Sequence, residues 1–316
     1  MGPRRLLLIV CALALCALPG TAMASGPSLA LVAEPQAGDA PFVAMIAGAR
    51  HSVQLTIYAL DDQRVEQALV QAAARKVDVR VLLYRGEYVN RSAYAYLSRN
   101  GVHVRYAPAY LAITHQKTLT VDGTQSAIMT LNLYAPYGTT RDFAILDRQP
   151  ADVQAIISTF DADWAGRPIA ASSGSGDLVW SPGAQSTVLG LIDSARRSIE
   201  LENEEMDYRP ATEALCAAAE RGVSVKIVMT YQSEWRSAFE KLRDCGVDIH
   251  LYYGQHYYIH AKLLLVDGHT ALVGSQNLST ESLRYNRELG ITVTNAAIVS
   301  ELERDFASDY DGGSGT

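Results

Sequence analysis

The sequence predicts an α/β fold of two tandem repeats, each a mixed, mostly parallel sheet flanked by helices, packed together with pseudo-twofold symmetry. Three observations lead to this prediction. The chain has 316 residues, which is more than a single hydrophobic core usually serves. Strand-like and helix-like segments alternate along it, as is typical of layered α/β folds. Related residue patterns also recur after about 146 residues.

The elements of the first repeat follow from local patterns. Residues 52–58 alternate in polarity like a strand, and residues 77–84 form an apolar run of strand length. Residues 65–76 are rich in alanine and have helical spacing between their apolar side chains. The same criteria predict helices at 42–50 and 94–99 and a strand at 102–106, and in the second repeat a helix at 211–221 and a strand at 223–230.

The duplication is visible in short matching segments. Residues 49–52 (ARHS) match residues 195–198 (ARRS), and residues 74–79 (ARKVDV) match residues 220–225 (ERGVSV). We therefore divide the chain after residue 24 into a first domain at 28–169, a flexible Ser/Gly-rich linker at 170–177, a second domain at 178–310 and a tail at 311–316 that we expect to be disordered.

The first 24 residues have the pattern of a secretory signal peptide. Arg4 and Arg5 precede a 13-residue apolar stretch, and Ala22-Met23-Ala24 has the small residues of a cleavage site. The stretch is shorter than the roughly 20 residues that span a membrane. We therefore expect cleavage near Ala24 and a secreted or periplasmic protein, with an uncleaved anchor as the alternative.

Two cysteines follow this segment, Cys216 and Cys245. An oxidising compartment would permit a disulfide between them. Two ordinary buried thiols are the alternative, and the sequence leaves both open.

The charge balance argues against a protein that coats nucleic acid. Lys and Arg number 27 and Asp and Glu number 34, so the formal net charge is −7. Non-specific nucleic-acid binding requires a broad basic surface, although a local basic cleft is compatible with this composition. Only five of the basic residues are lysines, and two of these five belong to the motif described next.

Each repeat contains the pattern H-x-K-x4-D. Its histidine, lysine and aspartate are His115, Lys117 and Asp122 in the first repeat and His260, Lys262 and Asp267 in the second. Alternate residues of a strand share one face, so each histidine projects together with its lysine. An Asp-Gly dipeptide ends each motif and predicts a hairpin turn, so we interpret the two aspartates as turn residues rather than catalytic groups.

The return strand of each hairpin is expected to add polar groups beside the histidine and lysine. These are Thr130 and Asn132 in the first repeat and Ser275 and Asn277 in the second. Together the two clusters would bind a phosphate group.

An acid follows each motif, Asp142 in the first repeat and Glu288 in the second. We interpret these acids as groups that orient a histidine, with surface acids as the alternative. A zinc site is disfavoured because a lysine lies two residues from each histidine and no third ligand is nearby. We predict neither a metal nor a cofactor.

These motifs resemble the signature of the phospholipase D superfamily, a doubled H-x-K-x4-D followed by G-S/T-x-N, over nearly the whole chain after residue 24. The second repeat matches throughout, whereas Met129 replaces the glycine in the first. The resemblance implies metal-independent phosphodiester cleavage in one site of a monomer, with His115 as the nucleophile that forms a phosphohistidine and His260 as the acid. It also implies that the phosphate oxygens are held by Lys117, Lys262, Asn132, Asn277, Thr130 and Ser275.

The signature does not separate lipid hydrolases, phosphatidyl transferases and nucleases. Acidic composition and the tyrosines near the motifs favour a phospholipid and contact with a membrane surface; Tyr258 shares a strand face with His260. We therefore expect hydrolysis of phosphatidylcholine-like lipids to phosphatidate and alcohol. The alternatives are a cardiolipin synthase-like phosphatidyltransferase and an exported nuclease that cleaves DNA or RNA. A nuclease would need a basic track to the cleft, for which the candidates are Arg85, Arg91, Arg99, Arg105 and Arg141.

Overall fold

The computed structural model describes Gly2 and residues 28–254, 257–312 and 314–315. Apart from Gly2, the predicted signal peptide lies outside these residues, so its prediction stays open. Within the described ranges, none of the helices combines the length and the apolar character needed to cross a bilayer.

The first repeat contains every element predicted for it. The helix predicted at 94–99 begins four residues earlier, at Asn90, because the buried Asn90 side chain bonds the backbone of Leu60, Tyr58 and Tyr84 and so fixes the start of the helix. The strands are β1 (Leu29–Glu34), β2 (Ser52–Ile57), β3 (Leu60–Asp61), β4 (Asp78–Leu83), β5 (His103–Tyr106), β6 (Thr118–Val121), β7 (Gln125–Met129), β8 (Leu133–Tyr134) and β9 (Thr140–Asp147). The helices are α1 (Ala40–Gly48), α2 (Gln63–Ala74), α3 (Asn90–Arg99) and α4 (Pro150–Trp164).

The second repeat follows the same order in its main elements. Its strands are β10 (Leu178–Ser181), β11 (Ser198–Glu202), β12 (Ser224–Thr230), β13 (Asp248–Tyr252), β14 (Tyr258–Ile259), β15 (Leu263–Val266), β16 (Thr270–Gly274), β17 (Glu288–Val293) and β18 (Ser314–Gly315). Its helices are α5 (Gln185–Ser194), α6 (Arg209–Glu220), α7 (Arg236–Asp244), α8 (Thr280–Arg284) and α9 (Ala296–Gly312), with a short 3-10 turn at Ser233–Trp235. Helix α8 takes the place of strand β8, and strands β14 and β18 are added.

Each repeat forms a mixed sheet flanked by helices, as predicted. The strand orders are β1-β9-β7-β6-β2-β4-β5 and β10-β17-β16-β15-β11-β12-β13-β18. The prediction of mostly parallel pairing is wrong. Only the strands joined by helices, β2-β4-β5 and β11-β12-β13, pair in parallel along these two orders. The strands that carry the motifs return through hairpins, which force antiparallel pairing.

The two repeats share part of their hydrophobic core. Each has a cluster of its own between sheet and helices. A third cluster joins Phe143 and Ile145 of the first repeat to Leu263, Leu289 and Ile291 of the second. The sheets are therefore packed against each other, as pseudo-twofold symmetry requires.

The connecting and terminal segments contact the rest of the fold. In the linker, the Ser175 hydroxyl and N–H both donate to the carboxylate of Asp152 in α4. At the tail, α9 continues through Gly312, and residues 314–315 form β18, which pairs with β13. These contacts lie between distant residues, so composition alone did not indicate them. The flexibility of residues 170–177 and the disorder of residues 311–316 stay predictions.

Cys216 and Cys245 form a disulfide, the first of the two possibilities that the sequence left open. It joins α6 to the end of α7, with 5.4 Å between the Cα atoms and a sequence separation of 29. Closing a loop of this length in the unfolded chain stabilises a fold by about 3 kcal/mol.

Candidate active site

The motif hairpins form as predicted, and their aspartates lie at the turns. Asp122 and Asp267 both adopt left-handed backbone conformations, with φ of 52° and 55°. The Asp122 carboxylate accepts hydrogen bonds from the N–H groups of residues 50–52, and Asp267 does the same for residues 196–198. Both carboxylates are thus occupied in tying the hairpin to the start of β2 or β11, away from the histidines.

Each H-x-K segment lies against the acid-bearing strand of the other repeat. The N–H groups of His115 and Gln116 donate to the carbonyl of Arg287, at 3.0 and 2.8 Å. In the second repeat, β14 pairs in parallel with β9, and His260 donates its N–H to the Arg141 carbonyl at 3.2 Å. The two motifs therefore meet at the interface between the repeats.

Each histidine is held by a carboxylate of the opposite repeat. His115 Nδ1 lies 3.0 Å from a Glu288 oxygen, and His260 Nδ1 lies 2.8 Å from an Asp142 oxygen. The sequence predicted that these acids orient histidines, but the exchange between repeats was not visible in it. A carboxylate at Nδ1 keeps the proton on that nitrogen and leaves Nε2 to face a substrate.

Thr130 and Ser275 are placed differently from the prediction. Both side chains are fully buried. The Thr130 hydroxyl donates to Asp142 and accepts the Phe143 N–H, while the Ser275 hydroxyl lies between the N–H and carbonyl of Leu289. They support the strands behind the acids rather than line a cleft, because the extended return strand turns these positions towards the interior.

The close packing of two strands requires the motif glycine of the second repeat. Gly274 pairs with Gly290 across β16 and β17, and a Cβ on Gly274 would lie 2.2 Å from the Gly290 Cα. In the first repeat the corresponding pair is Met129 and Ala144, and the Met129 side chain is buried in the core. The departure from the signature is therefore a change of packing within the sheet.

The residue before each of the two acids forms a buried ion pair with the other repeat. Arg141 forms a buried ion pair with Asp309 in α9, and Arg287 forms one with Asp163 in α4. Breaking a buried pair of this kind costs roughly 3–5 kcal/mol. Arg141 therefore stabilises the interface between the repeats, and its paired guanidinium does not contribute to a basic track for nucleic acid.

The two motif lysines differ in their partners. Lys117 donates to the His115 carbonyl at 2.7 Å, and its Nζ lies 5.3 Å from the centre of the Tyr58 ring. Burial lowers the pKa of Lys117 to about 7. Lys262 donates to the His260 carbonyl and also to a carboxylate of Glu204, at 2.9 Å.

Glu204 is a site residue that the motifs did not reveal. It follows β11, and its carboxylate accepts hydrogen bonds from Lys262 and, at 3.0 Å, from the Tyr258 hydroxyl. It also lies 3.5 Å from His260 Nε2. The alignment of the repeats could have indicated this residue, because at the offset of 146 position 204 corresponds to Tyr58 and carries a carboxylate instead of an aromatic ring.

Two clefts of about 300 Å³ open beside the histidines. The cleft on the His260 side includes Asn132 and three tyrosines, Tyr134, Tyr137 and Tyr258. The cleft on the His115 side includes Tyr58, Glu205, Asp207, Trp235, Asn277, Glu281 and Glu288. Tyr258 and the two asparagines, for which the sequence predicts substrate contacts, thus line these clefts.

None of the five candidate arginines is among the described residues that line these clefts. Arg85, Arg91 and Arg105 lie over the rings of Tyr106, Tyr88 and Trp164, respectively. Arg99 lines a different surface pocket beside α2 and α3. A basic track to the histidines is therefore not formed by these residues.

Among solved structures, the fold is similar to two larger enzymes. Polyphosphate kinase from Porphyromonas gingivalis aligns with a TM-score of 0.70 and 15% identity, over 88% of this chain and 46% of that one. Phosphatidylserine synthase from Haemophilus influenzae Rd KW20 aligns with a TM-score of 0.66 and 12% identity, over 89% of this chain and 86% of that one. At these identities the similarity establishes the fold alone.

Sequence comparison gives several cardiolipin synthases. One from Clostridium perfringens (strain SM101 / Type A) is 33% identical over 127 residues, covering 38% of this chain and 26% of that protein. The minor cardiolipin synthase ClsB of Bacillus subtilis (strain 168) is 33% identical over 108 residues, covering 32% of this chain and 27% of that protein. The matched part of the chain thus spans about a quarter of the length of these relatives.

A family model described as "Cardiolipin synthase, PLD-like domain" matches residues 42–164 and 188–310. These two ranges include both motifs, both acids and Glu204, and together they cover most of the chain. The protein therefore belongs to the family of proteins with the phospholipase D-like domain of cardiolipin synthases, and it carries this domain twice.

Proposed function

We propose that this protein transfers phosphatidyl groups between alcohols through a phosphohistidine, as a cardiolipin synthase-like phosphatidyltransferase. The observation that carries the proposal is the pair of histidines at the repeat interface, each bonded at Nδ1 to a carboxylate of the opposite repeat. The names of the relatives favour transfer over the head-group hydrolysis expected from the sequence.

His115 has the properties of the nucleophile. Burial lowers its pKa, although the neighbouring Glu288 acts in the opposite direction, so the imidazole is neutral at pH 7. Its Nδ1 proton is directed at Glu288, and among the described residues Nε2 has no hydrogen-bond partner. The Nε2 lone pair is therefore available to attack phosphorus, forming the N–P bond as the P–O bond to the leaving alcohol breaks.

His260 has the surroundings of the general acid. Carboxylates face both ring nitrogens, Asp142 at Nδ1 and Glu204 at Nε2. A protonated imidazole donates from both nitrogens, so this arrangement suits the imidazolium form. Its Nε2 proton would pass to the leaving oxygen, and the neutral ring would then take a proton from the acceptor alcohol or from water.

The substrate class follows from the clefts. Glu205, Asp207 and Glu281 make the His115 side acidic, which disfavours a long polyanion. Tyrosines dominate the His260 side, and their amphipathic rings suit a lipid head group at a membrane surface. With no candidate arginine on either cleft, the charge distribution favours a phospholipid over nucleic acid.

Hydrolysis remains the second candidate, because the same site releases phosphatidate whenever water rather than an alcohol reaches the phosphohistidine. The deciding experiment supplies phosphatidylglycerol vesicles to the protein in the presence of EDTA and separates the products. Cardiolipin and glycerol indicate transfer, whereas phosphatidate and glycerol indicate hydrolysis.

The matched controls are His115→Ala and parallel assays with phosphatidylcholine vesicles and single-stranded DNA. Cardiolipin formation that persists in EDTA and vanishes in His115→Ala would support the proposal. Cleavage of DNA without any turnover of lipid would overturn it, and phosphatidate as the sole lipid product would replace transfer by hydrolysis.

A further inference from the structure

The pseudo-twofold symmetry of the site is broken beside the lysines. Tyr58 follows β2 and Glu204 follows the corresponding strand β11. The Tyr58 ring packs edge-on against His115, with 4.8 Å between ring centres, and lies beside Lys117. The equivalent position of the second repeat thus replaces an aromatic ring by a carboxylate.

The Glu204 carboxylate lies among groups that would bind a substrate phosphate. Its Oε2 is 2.9 Å from Lys262 Nζ, 3.4 Å from Asn277 Nδ2 and 3.5 Å from His260 Nε2. A phosphate oxygen bound by the second repeat needs these same donors. The carboxylate and a phosphate oxygen therefore compete for one position.

We propose that Glu204 is a built-in competitor for the phosphate site. In the unliganded protein it occupies the phosphate position of the second repeat, and the substrate phosphate binds by displacing it from Lys262. The proposal deepens the proposed function, and it rests on that function only in taking these donors as a phosphate site.

The electrostatics of Glu204 agree with this geometry. Burial raises the pKa of its carboxyl, but Lys262 and His260 outweigh burial and hold the pKa well below its usual range. The carboxylate is therefore charged at neutral pH. Two anions at one lysine repel each other, so phosphate and the charged Glu204 exclude one another from Lys262.

The test is the binding of inorganic phosphate, measured by calorimetry at one fixed pH, which needs no lipid substrate. Glu204→Gln keeps the shape and the hydrogen-bonding capacity of the side chain and removes its charge. We expect it to bind phosphate at least about tenfold more tightly than the unmodified protein, because charge-assisted bonds to Lys262 become available. Glu220→Gln, an equal change of charge on an exposed residue at the end of α6 that lines neither cleft, should stay within about twofold.

A second variant tests the proposal independently if Glu204→Gln does not fold. Tyr258→Phe removes one hydrogen bond that holds Glu204, and it should tighten phosphate binding by about threefold. Unchanged or weaker binding in folded Glu204→Gln and Tyr258→Phe, equal gains in Glu204→Gln and Glu220→Gln, or no phosphate binding in any variant would overturn the proposal. Because no lipid is present, the result is independent of whether the protein transfers phosphatidyl groups.

Discussion

The two repeats contribute the same pair of side chains to the site but surround them differently. In the first, His115 and Lys117 pack against the ring of Tyr58. In the second, His260 and Lys262 face the carboxylate of Glu204. Duplication thus supplied two copies of one motif, and the residue at a single position beside each motif differs between them. In the mechanism that we propose, this difference separates the histidine that attacks from the histidine that donates a proton.

The disulfide adds a second asymmetry. Cys216 and Cys245 brace the helical layer of the second repeat, whereas the aligned positions of the first repeat are Val70 and Asn100. The acids, in contrast, are symmetric, since Asp142 and Glu288 each cross the interface. The comparison therefore separates the histidine–acid pairs, which the site contains twice, from the Glu204 carboxylate and the disulfide, which belong to the second repeat.

The largest expected effect tests the division of labour between the histidines. A p-nitrophenyl phosphodiester has a leaving group that needs no protonation, so loss of the acid should spare the first chemical step. His260→Ala should still release about one equivalent of p-nitrophenolate in a burst, while His115→Ala should lose the burst by a factor of about 10³ or more. Rapid-mixing absorbance measures both. A burst in His115→Ala but not in His260→Ala would reverse the assignment.

The next effect tests the exchanged acids. Glu288→Gln should impair the burst because it removes the carboxylate that orients His115. Asp142→Asn should leave the burst intact and slow the steady-state turnover that follows it, through His260. Each loss should be about 10²-fold. Asp193→Asn, an exposed acid of α5 that lines neither cleft, is the control. Equal burst defects in Glu288→Gln and Asp142→Asn would contradict the pairing seen here.

The smallest effect is a pH dependence that comes from Lys117 in the first repeat. With a pKa of about 7, Lys117 loses its charge as the pH rises through neutrality, so the burst rate should fall towards alkaline pH by about tenfold. Arginine stays charged over this range. In Lys117→Arg the alkaline fall should move to higher pH, whatever the absolute rate. An unchanged alkaline limit would show that another group is responsible.

Two placements depend on neighbouring layers of the fold. The hairpin predicted that the hydroxyls of Thr130 and Ser275 lie beside the histidines, but both side chains face the interior. In the linker, for which the composition predicts flexibility, Ser175 bonds the Asp152 carboxylate of α4. Local sequence contains no information about the layer that each of these residues contacts.

The sequence by itself determined the duplication, the order of helices and strands, the two motifs and the turn role of their aspartates. These features depend on residue spacing and on the backbone preferences of short segments, which act within a few residues. It also identified Asp142 and Glu288 as partners of histidines, because each recurs at a matching place in its repeat.

Only the tertiary structure decided which histidine each acid holds, that Arg141 locks the interface, and that Glu204 reaches Lys262. The His260–Asp142 and His115–Glu288 contacts join residues 118 and 173 positions apart. Such contacts exist because the two sheets bury a common core and thereby bring their motif edges together. The packing of one repeat on the other therefore turns two half-sites into one asymmetric site.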